Sequence, residues 1–567
     1  MENLSGEVSH VTREKKKSNG ISVSSLDELR LLSRLERSGV IVRTRMDITA
    51  LIFAATPTAR TIGEHAGMSS DREKFRVDEN TEGNDEGGVP SGVRTLLDRL
   101  RRIVLGRHPV EPRVEQRRIA AGLAMLTALS WARFMATGRL SLSGFGLAPA
   151  QWLWFGPTFG LAWILCGRAI LRLISFDGPE VEDRNLFRGS LILHATVLLA
   201  IPLTSNDVLN YLSIGRLEVR GQNPYLTPTT ALPADDPFAA TTSFDTRQET
   251  LPYGPIGLFY GWIGARTGSV WLGLVAIKVL AIGLWCGVIF VLRAMARRSM
   301  LSRRGLLLLA WNPLVAWETT GQLHNDIVIV VAMIGAVGAM KCGRATLGWL
   351  AVALGMATKF VLAPFAGLLA VVQLREHGWR ALPGITLGAL VLIGLFAPWW
   401  SGPETLHGPI MAMRPERGYL TGSLAQLVWG RFPKGAEVAP SAAFDAWVVV
   451  TRVVLVLAAA RLAWRARSID DAARGALVFG MIWLPLGVEW MLPWYGLWLL
   501  AWLPFVRARA LQVGVVVYAA GLPWLYAPDA IERALVLPTV ALHAVPLAAV
   551  AWSYAGRPDP GEPVSPA

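Results

Sequence analysis

Three short stretches of this chain gather residue types that do chemistry. The first is Ser205-Asn206-Asp207, which follows an apolar run ending near residue 204. A carboxylate there either caps the helix that follows or is an ionisable group at membrane depth with a chemical role. The second is Gly321-Gln322-Leu323-His324-Asn325-Asp326, preceded by Trp311-Asn312-Pro313. Asn325 or Asp326 is a natural helix cap. His324 has no capping role, and an imidazole between amides and a carboxylate suits hydroxyl binding or the positioning of a substrate. The third is Lys359 in Ala357-Thr358-Lys359-Phe360, with no acid near it in sequence. It either snorkels to an interface or meets an anionic group such as a phosphate. Arg414 and Arg417, in Met413–Tyr419, are further cations of the same kind.

The elements that must hold these groups are apolar runs. Val208–Arg220 has apolar residues at near-helical spacing, with Arg216, Glu218 and Arg220 on a polar side and Gly221 as a stop. The pattern predicts an amphipathic helix lying in a membrane interface. From Ile119 to about residue 554, some fourteen apolar runs alternate with short polar connectors, several of them short of the ~20 residues of a full crossing. The expectation is an all-α polytopic bundle of about 12–14 spans, since backbone polar groups cannot be left open in lipid. Residues 1–118 are rich in Ser, Glu, Lys, Arg and Gly and include ENTEGNDEGG at 79–88. They are expected to form a disordered cytoplasmic tail. The bundle then occupies 119–556, with a short cytoplasmic tail at 557–567.

Composition agrees. The chain has 567 residues, 52% of them hydrophobic and only 17% charged, with 23 Trp. Soluble chains carry roughly 25% charged residues, so a soluble globule is excluded, as are collagen-like and disulfide-built classes. The net charge of +13 comes from short basic clusters between apolar runs and forms no continuous nucleic-acid face. Cys166, Cys286 and Cys342 show no metal-ligand spacing, and neither a metal nor another cofactor is implied. The loop Arg293–Arg304 holds five arginines and no acid. Basic loops stay in the cytoplasm, so the loops 204–254 and 399–445 are expected outside. The inner loops lack a Gly-rich phosphate cradle.

These motifs, in this order and with this sidedness, resemble the GT-C superfamily of multispanning glycosyltransferases. The resemblance rests on an outer carboxylate after an early span, a helix ending in Gly221-Gln222-Asn223-Pro224-Tyr225, and Tyr253-Gly254-Pro255. It continues through Trp311-Asn312-Pro313, His324-Asn325-Asp326 and the Ala357-Thr358-Lys359 segment. Over about residues 119–554 the chain is most similar to bacterial polyprenol-phosphate-mannose-dependent α-1,6-mannosyltransferases. The resemblance implies a polyprenyl-phosphate sugar donor, a glycan or glycolipid acceptor, and an acidic base in the first large outer loop, a role that falls on Asp207. It also implies a bacterial inner-membrane location with the site on the extracytoplasmic side. His324, Asn325, Asp326, Lys359, Arg216 and Arg414 are then the candidate substrate-binding residues. A transporter or flippase of lipid-linked or small substrates is the alternative. It calls for charges at mid-membrane and repeated broken helices, and no internal repeat is found. A structural scaffold is a third reading.

Overall fold

The structure, a computed structural model, describes residues 109–140, 149–176, 181–241, 249–412, 422–425, 442–526 and 536–555. The chain is an all-α helical membrane protein, with no strand among the described residues. Five stretches are long and apolar enough to cross a bilayer: Pro112–Thr137, Ala150–Ile174, Val270–Ala296, Phe360–Trp399 and Ala442–Arg465. The expected N-terminal tail up to residue 108 and the C-terminal tail 557–567 lie outside the described residues.

The first helix, α1 (Pro112–Thr137), starts seven residues before the first apolar run. Pro112 opens it, where a missing N–H costs nothing. Its first turns read as polar tail in the sequence because they carry Arg and Glu. In the fold, Glu115 is buried and bound by Arg172 Nε and Arg118 Nη1, each at 2.7 Å. Arg172 belongs to α2 (Pro149–Ile174), which packs along α1.

After α3 (Asp183–Thr196) comes α4 (Asp207–Val219), the helix read as interfacial. It is instead clasped by protein. Eight of its residues are buried, from Val208 round to Leu217. It lies against α5 (Pro255–Ala265) through Gly215 and Gly261, where backbones meet with no room for a Cβ. Its polar side is used internally: Arg216 and Arg220 reach Asp236 at 2.9 and 3.2 Å, and Glu218 accepts from Trp399 Nε1 at 2.7 Å. Gly221, at φ +75°, stops it as expected.

The long helix α6 (Val270–Ala296) leads to a region the hydropathy pattern treats as one span, 305–318, but which is broken. Helix α7 (Arg303–Ala310) ends at Trp311, and the Asn312 side chain caps α8 (Pro313–Ala316) by accepting from Leu314 N at 3.0 Å. A π-helical turn, Trp317–Gly321, follows. Then come α9 (Asp326–Lys341), α10 (Ala345–Met356), α11 (Ala363–His377) and α12 (Leu382–Phe396). The short α13 (His407–Met411), then α14 (Ala442–Arg465), α15 (Ile469–Gly487), α16 (Leu497–Leu500), α17 (Arg509–Gly521) and α18 (Val536–Ala555) complete the order. Helix α9 sits centrally, packed on α6 and α10 and touched by α15 and α16.

Candidate active site

Two backbone segments bring the site together. The π turn widens the helix just where the chain must leave it, and π bulges of this kind recur at functional sites. Gln322 N then donates to Trp317 O at 2.7 Å, and His324 N to Glu318 O at 3.0 Å. Leu323 between them has φ +65°, an unusual region for a non-glycine residue, and its side chain is fully buried. The second segment, Leu203–Asp207, is tied to the first. Gln322 Oε1 accepts from the amides of Leu203 and Thr204 at 2.7 and 2.8 Å, and Trp317 Nε1 donates to Thr204 Oγ1 at 3.3 Å.

The result is a row of charged and polar side chains. Asp207 is the first residue of α4 and about a quarter exposed, at 24%. Its Oδ2 lies 3.5 Å from His324 Nδ1 and accepts from Tyr211 at 3.3 Å. On the other side of the imidazole, Nε2 lies 3.3 Å from Glu318 Oε2. The ring is stacked on Trp494 with centroids 3.9 Å apart. Glu318 is completely buried, and its Oε1 accepts from Tyr526 at 3.0 Å.

Beside this row stands an ion pair. Lys359 Nζ meets Asp326 Oδ2 at 2.6 Å and lies 5.2 Å from the centre of the Tyr253 ring. Asp326 Oδ1 accepts from Trp498 Nε1 at 2.7 Å. Neither Asn206 nor Asn325 caps its helix through its side chain. Both carboxylates that sequence alone leaves open as caps thus face other side chains. Tyr211 also reaches Asn325 Oδ1 at 3.4 Å, joining the two groups.

Burial alone would raise the Asp207 carboxyl. The neighbouring His324 and Lys359 cations outweigh it and hold the group below the ordinary carboxylate range. For His324, burial favours the neutral ring, but Asp207 and Glu318 more than offset it and push the imidazole up to about 9. The site therefore presents an ionised Asp207 against an imidazolium at neutral pH.

Of the residues singled out in the sequence, Asp207, His324, Asn325, Asp326 and Lys359 come together here. Arg216 does not: Asp236 engages it, with the Phe238 ring 5.5 Å away. Arg414 lies outside the described residues. Glu318, Tyr211, Tyr253, Trp498 and Tyr526 belong to the site without having been picked out individually as chemical groups. The signal for Glu318 was its place as the last residue of the apolar run 305–318, since an acid at membrane depth is a functional candidate by default.

The fold is a helical membrane protein whose carboxylates and cations converge where broken helices meet, and the proteins it resembles are named as mannopyranosyltransferases. Residues 113–375 match the family described as Alpha-(1->6)-mannopyranosyltransferase, N-terminal domain. Alpha-(1->6)-mannopyranosyltransferase A of Mycobacterium tuberculosis is 25% identical over 435 residues, which is 71% of this chain and 78% of that protein. The A enzyme of Corynebacterium glutamicum is 30% identical over 196 residues, 33% of this chain and 40% of its own length. The B enzyme of the same organism is 24% identical over 445 residues, 70% of this chain and 69% of its own. No solved structure matches the chain. These matches support a GT-C mannosyltransferase of the α-(1→6)-mannopyranosyltransferase type, as the motifs implied.

Proposed function

We propose that this protein transfers mannose from a polyprenyl-phosphate donor to a glycan or glycolipid hydroxyl, on the extracytoplasmic face of the bacterial inner membrane. The observation that carries the reading is the Asp207 carboxylate, partly exposed and ionised, with His324 at 3.5 Å and the Lys359 ammonium close enough to act on it. In a single displacement the acceptor oxygen attacks the anomeric carbon and Asp207 takes the acceptor's proton. The bond from the anomeric carbon to the donor phosphate breaks, and polyprenyl phosphate leaves with the electron pair. The configuration inverts, so an α-(1→6) product of the kind in the relatives' names calls for a β-linked donor. A phosphate leaving group needs no carboxylic acid to protonate it, unlike the sugar oxygen released in glycoside hydrolysis. Its charge needs cations. Lys359, partly exposed although paired with Asp326, is the cation of the group that can reach it; Arg216 is held by Asp236 away from the row.

The test is membranes from cells making the protein, given radiolabelled polyprenyl-phosphate mannose. Label entering a glycan or glycolipid is the expected result. Label that only crosses the bilayer would overturn the transferase reading in favour of a flippase.

A further inference from the structure

His324 has a carboxylate at each ring nitrogen, Asp207 at 3.5 Å and Glu318 at 3.3 Å. A neutral imidazole carries one proton, so one of its nitrogens would turn a bare lone pair toward a carboxylate. Only the imidazolium offers a donor to both. Asp207 has other anchors and some access to water. Glu318 has none of the latter: it is fully buried in the π turn, steered by Tyr526 at Oε1, with Oε2 left without a hydrogen-bond partner. A buried carboxylate is costly unless a counter-charge faces it, and the ring of His324 is that counter-charge. Trp494, stacked on the ring, prevents it from turning away.

We propose that Glu318 is a positioning residue that acts through His324. It holds the imidazole charged and aimed at Asp207, so that a fixed positive charge keeps the base in its ionised, working orientation. This rests on the reading of Asp207 as the base. The groups facing His324 are Asp207, backed by Tyr211, from α4; Glu318 from the π turn; and the Trp494 ring. Tyr526 stands behind Glu318, and the Lys359–Asp326 pair stands beside the row. Lys359 is already taken up by Asp326 at 2.6 Å. The imidazolium is therefore the cation whose charge depends on Glu318.

The experiment is the pH profile of transfer, kcat and donor KM separately, from about pH 6 to about pH 10. The wild type should keep its activity until the imidazolium deprotonates near pH 9. Glu318→Gln keeps the shape and an acceptor for Tyr526 but removes the charge. Its alkaline limb should move down by about one pH unit or more, the effect of one close opposite charge. Between the two limbs its deficit should grow about tenfold per pH unit, mainly in kcat with donor KM little changed, while Glu318→Asp restores the wild-type limb. A loss equal at every pH is what a merely structural role gives, and it would overturn the proposal. Should the variants not fold, ¹⁵N NMR of the wild-type histidines near pH 7.5, with His324→Asn to assign the signal, still decides. A doubly protonated ring supports the proposal and a neutral one ends it. Asp207→Asn separates the two readings. If it is inactive while the Glu318→Gln limb is unshifted, only this inference fails. If it is active, the base assignment fails, and the limb still reports on Glu318.

Discussion

Asp207→Asn is the most informative single change, because Asn and Asp serve alike at helix N-termini. The amide fits the same place at the start of α4 and keeps an oxygen for Tyr211. Expression and melting temperature should hold, while transfer falls roughly 10²–10⁴-fold, the usual contribution of a positioned base. Wild-type rates in the purified variant would rule Asp207 out as the base. Because its pKa is held down, Asp207 stays ionised through the neutral range, so the acid limb of kcat/KM should fall below the ordinary carboxylate value of about 4. A limb near neutrality would point to another group. Lys359→Met tests the neighbouring pair. It strands the fully buried Asp326 and should lower stability by about 3 kcal/mol or more, read as a drop in melting temperature. Lys359→Arg, which keeps the charge, should lose less. The sequence made Asp207, His324, Asp326 and Lys359 visible as chemical types. It could not pair Lys359 with Asp326, because that contact spans 33 residues and depends on how α9 and the turn before Phe360 meet. Glu318 ended a hydropathic run, and hydropathy scores such a residue as a boundary and not as a site.

At the scale of elements, the site depends on helices that stop in the right places. Asn312-Pro313 could be read in advance as a helix breaker, since proline lacks an N–H and asparagine caps. The π turn could not, because nothing in Trp317–Gly321 distinguishes it from an ordinary helical turn; it is fixed by tertiary partners. Lys278 on α6 donates to the Thr320 carbonyl at 3.1 Å, and His194 Nδ1 meets the Thr320 hydroxyl at 2.7 Å. For the same reason the amphipathic pattern of Val208–Arg220 suggested a lipid interface. The polar face of α4 is in fact satisfied by Asp236 and Trp399, which sequence periodicity does not report. The α4–α5 seam gives a sharp test. A Cβ on Gly261 would run into the backbone of Tyr211, whereas one on Gly283 in α6 meets nothing within 4 Å. Gly261→Ala should therefore lower both melting temperature and transfer by shifting Tyr211 and Asp207. Gly283→Ala should leave transfer alone and change stability by no more than about 1 kcal/mol, in the stabilising direction. Equal effects would mean that the seam does not position the site.

The whole molecule has two chemically distinct ends. At one, basic residues of one connector reach residues of another: Arg298 Nη1 lies 3.1 Å from Cys342 Sγ, and Lys341 meets Asp470 at 2.6 Å. There too Arg375 donates to the Ala466 carbonyl at 2.8 Å, and Arg303 pairs with Asp183. At the other are Asp207, His324 and Lys359. Helix α9 runs from one to the other, beginning at Asp326 in the site and ending at Lys341 in the basic cluster. Its 16 residues span about 24 Å at 1.5 Å each, close to the ~30 Å of hydrocarbon in a bilayer. One flank is apolar and exposed, as a lipid-facing helix is: α14 exposes Val449, Val453 and Val456. If basic loops remain in the cytoplasm, the site must open on the opposite face, where lipid-linked sugars and not nucleotide sugars are at hand. Single cysteines in a background lacking Cys166, Cys286 and Cys342 measure this directly. Asp235→Cys, on the exposed loop after α4, should react with an impermeant maleimide on intact cells. Arg298→Cys should react only after the membrane is opened. The reverse pattern would place Asp207 in the cytoplasm and leave the polyprenyl-phosphate donor without its reason, since the preference for that donor over a soluble nucleotide sugar follows from the face on which the carboxylate lies.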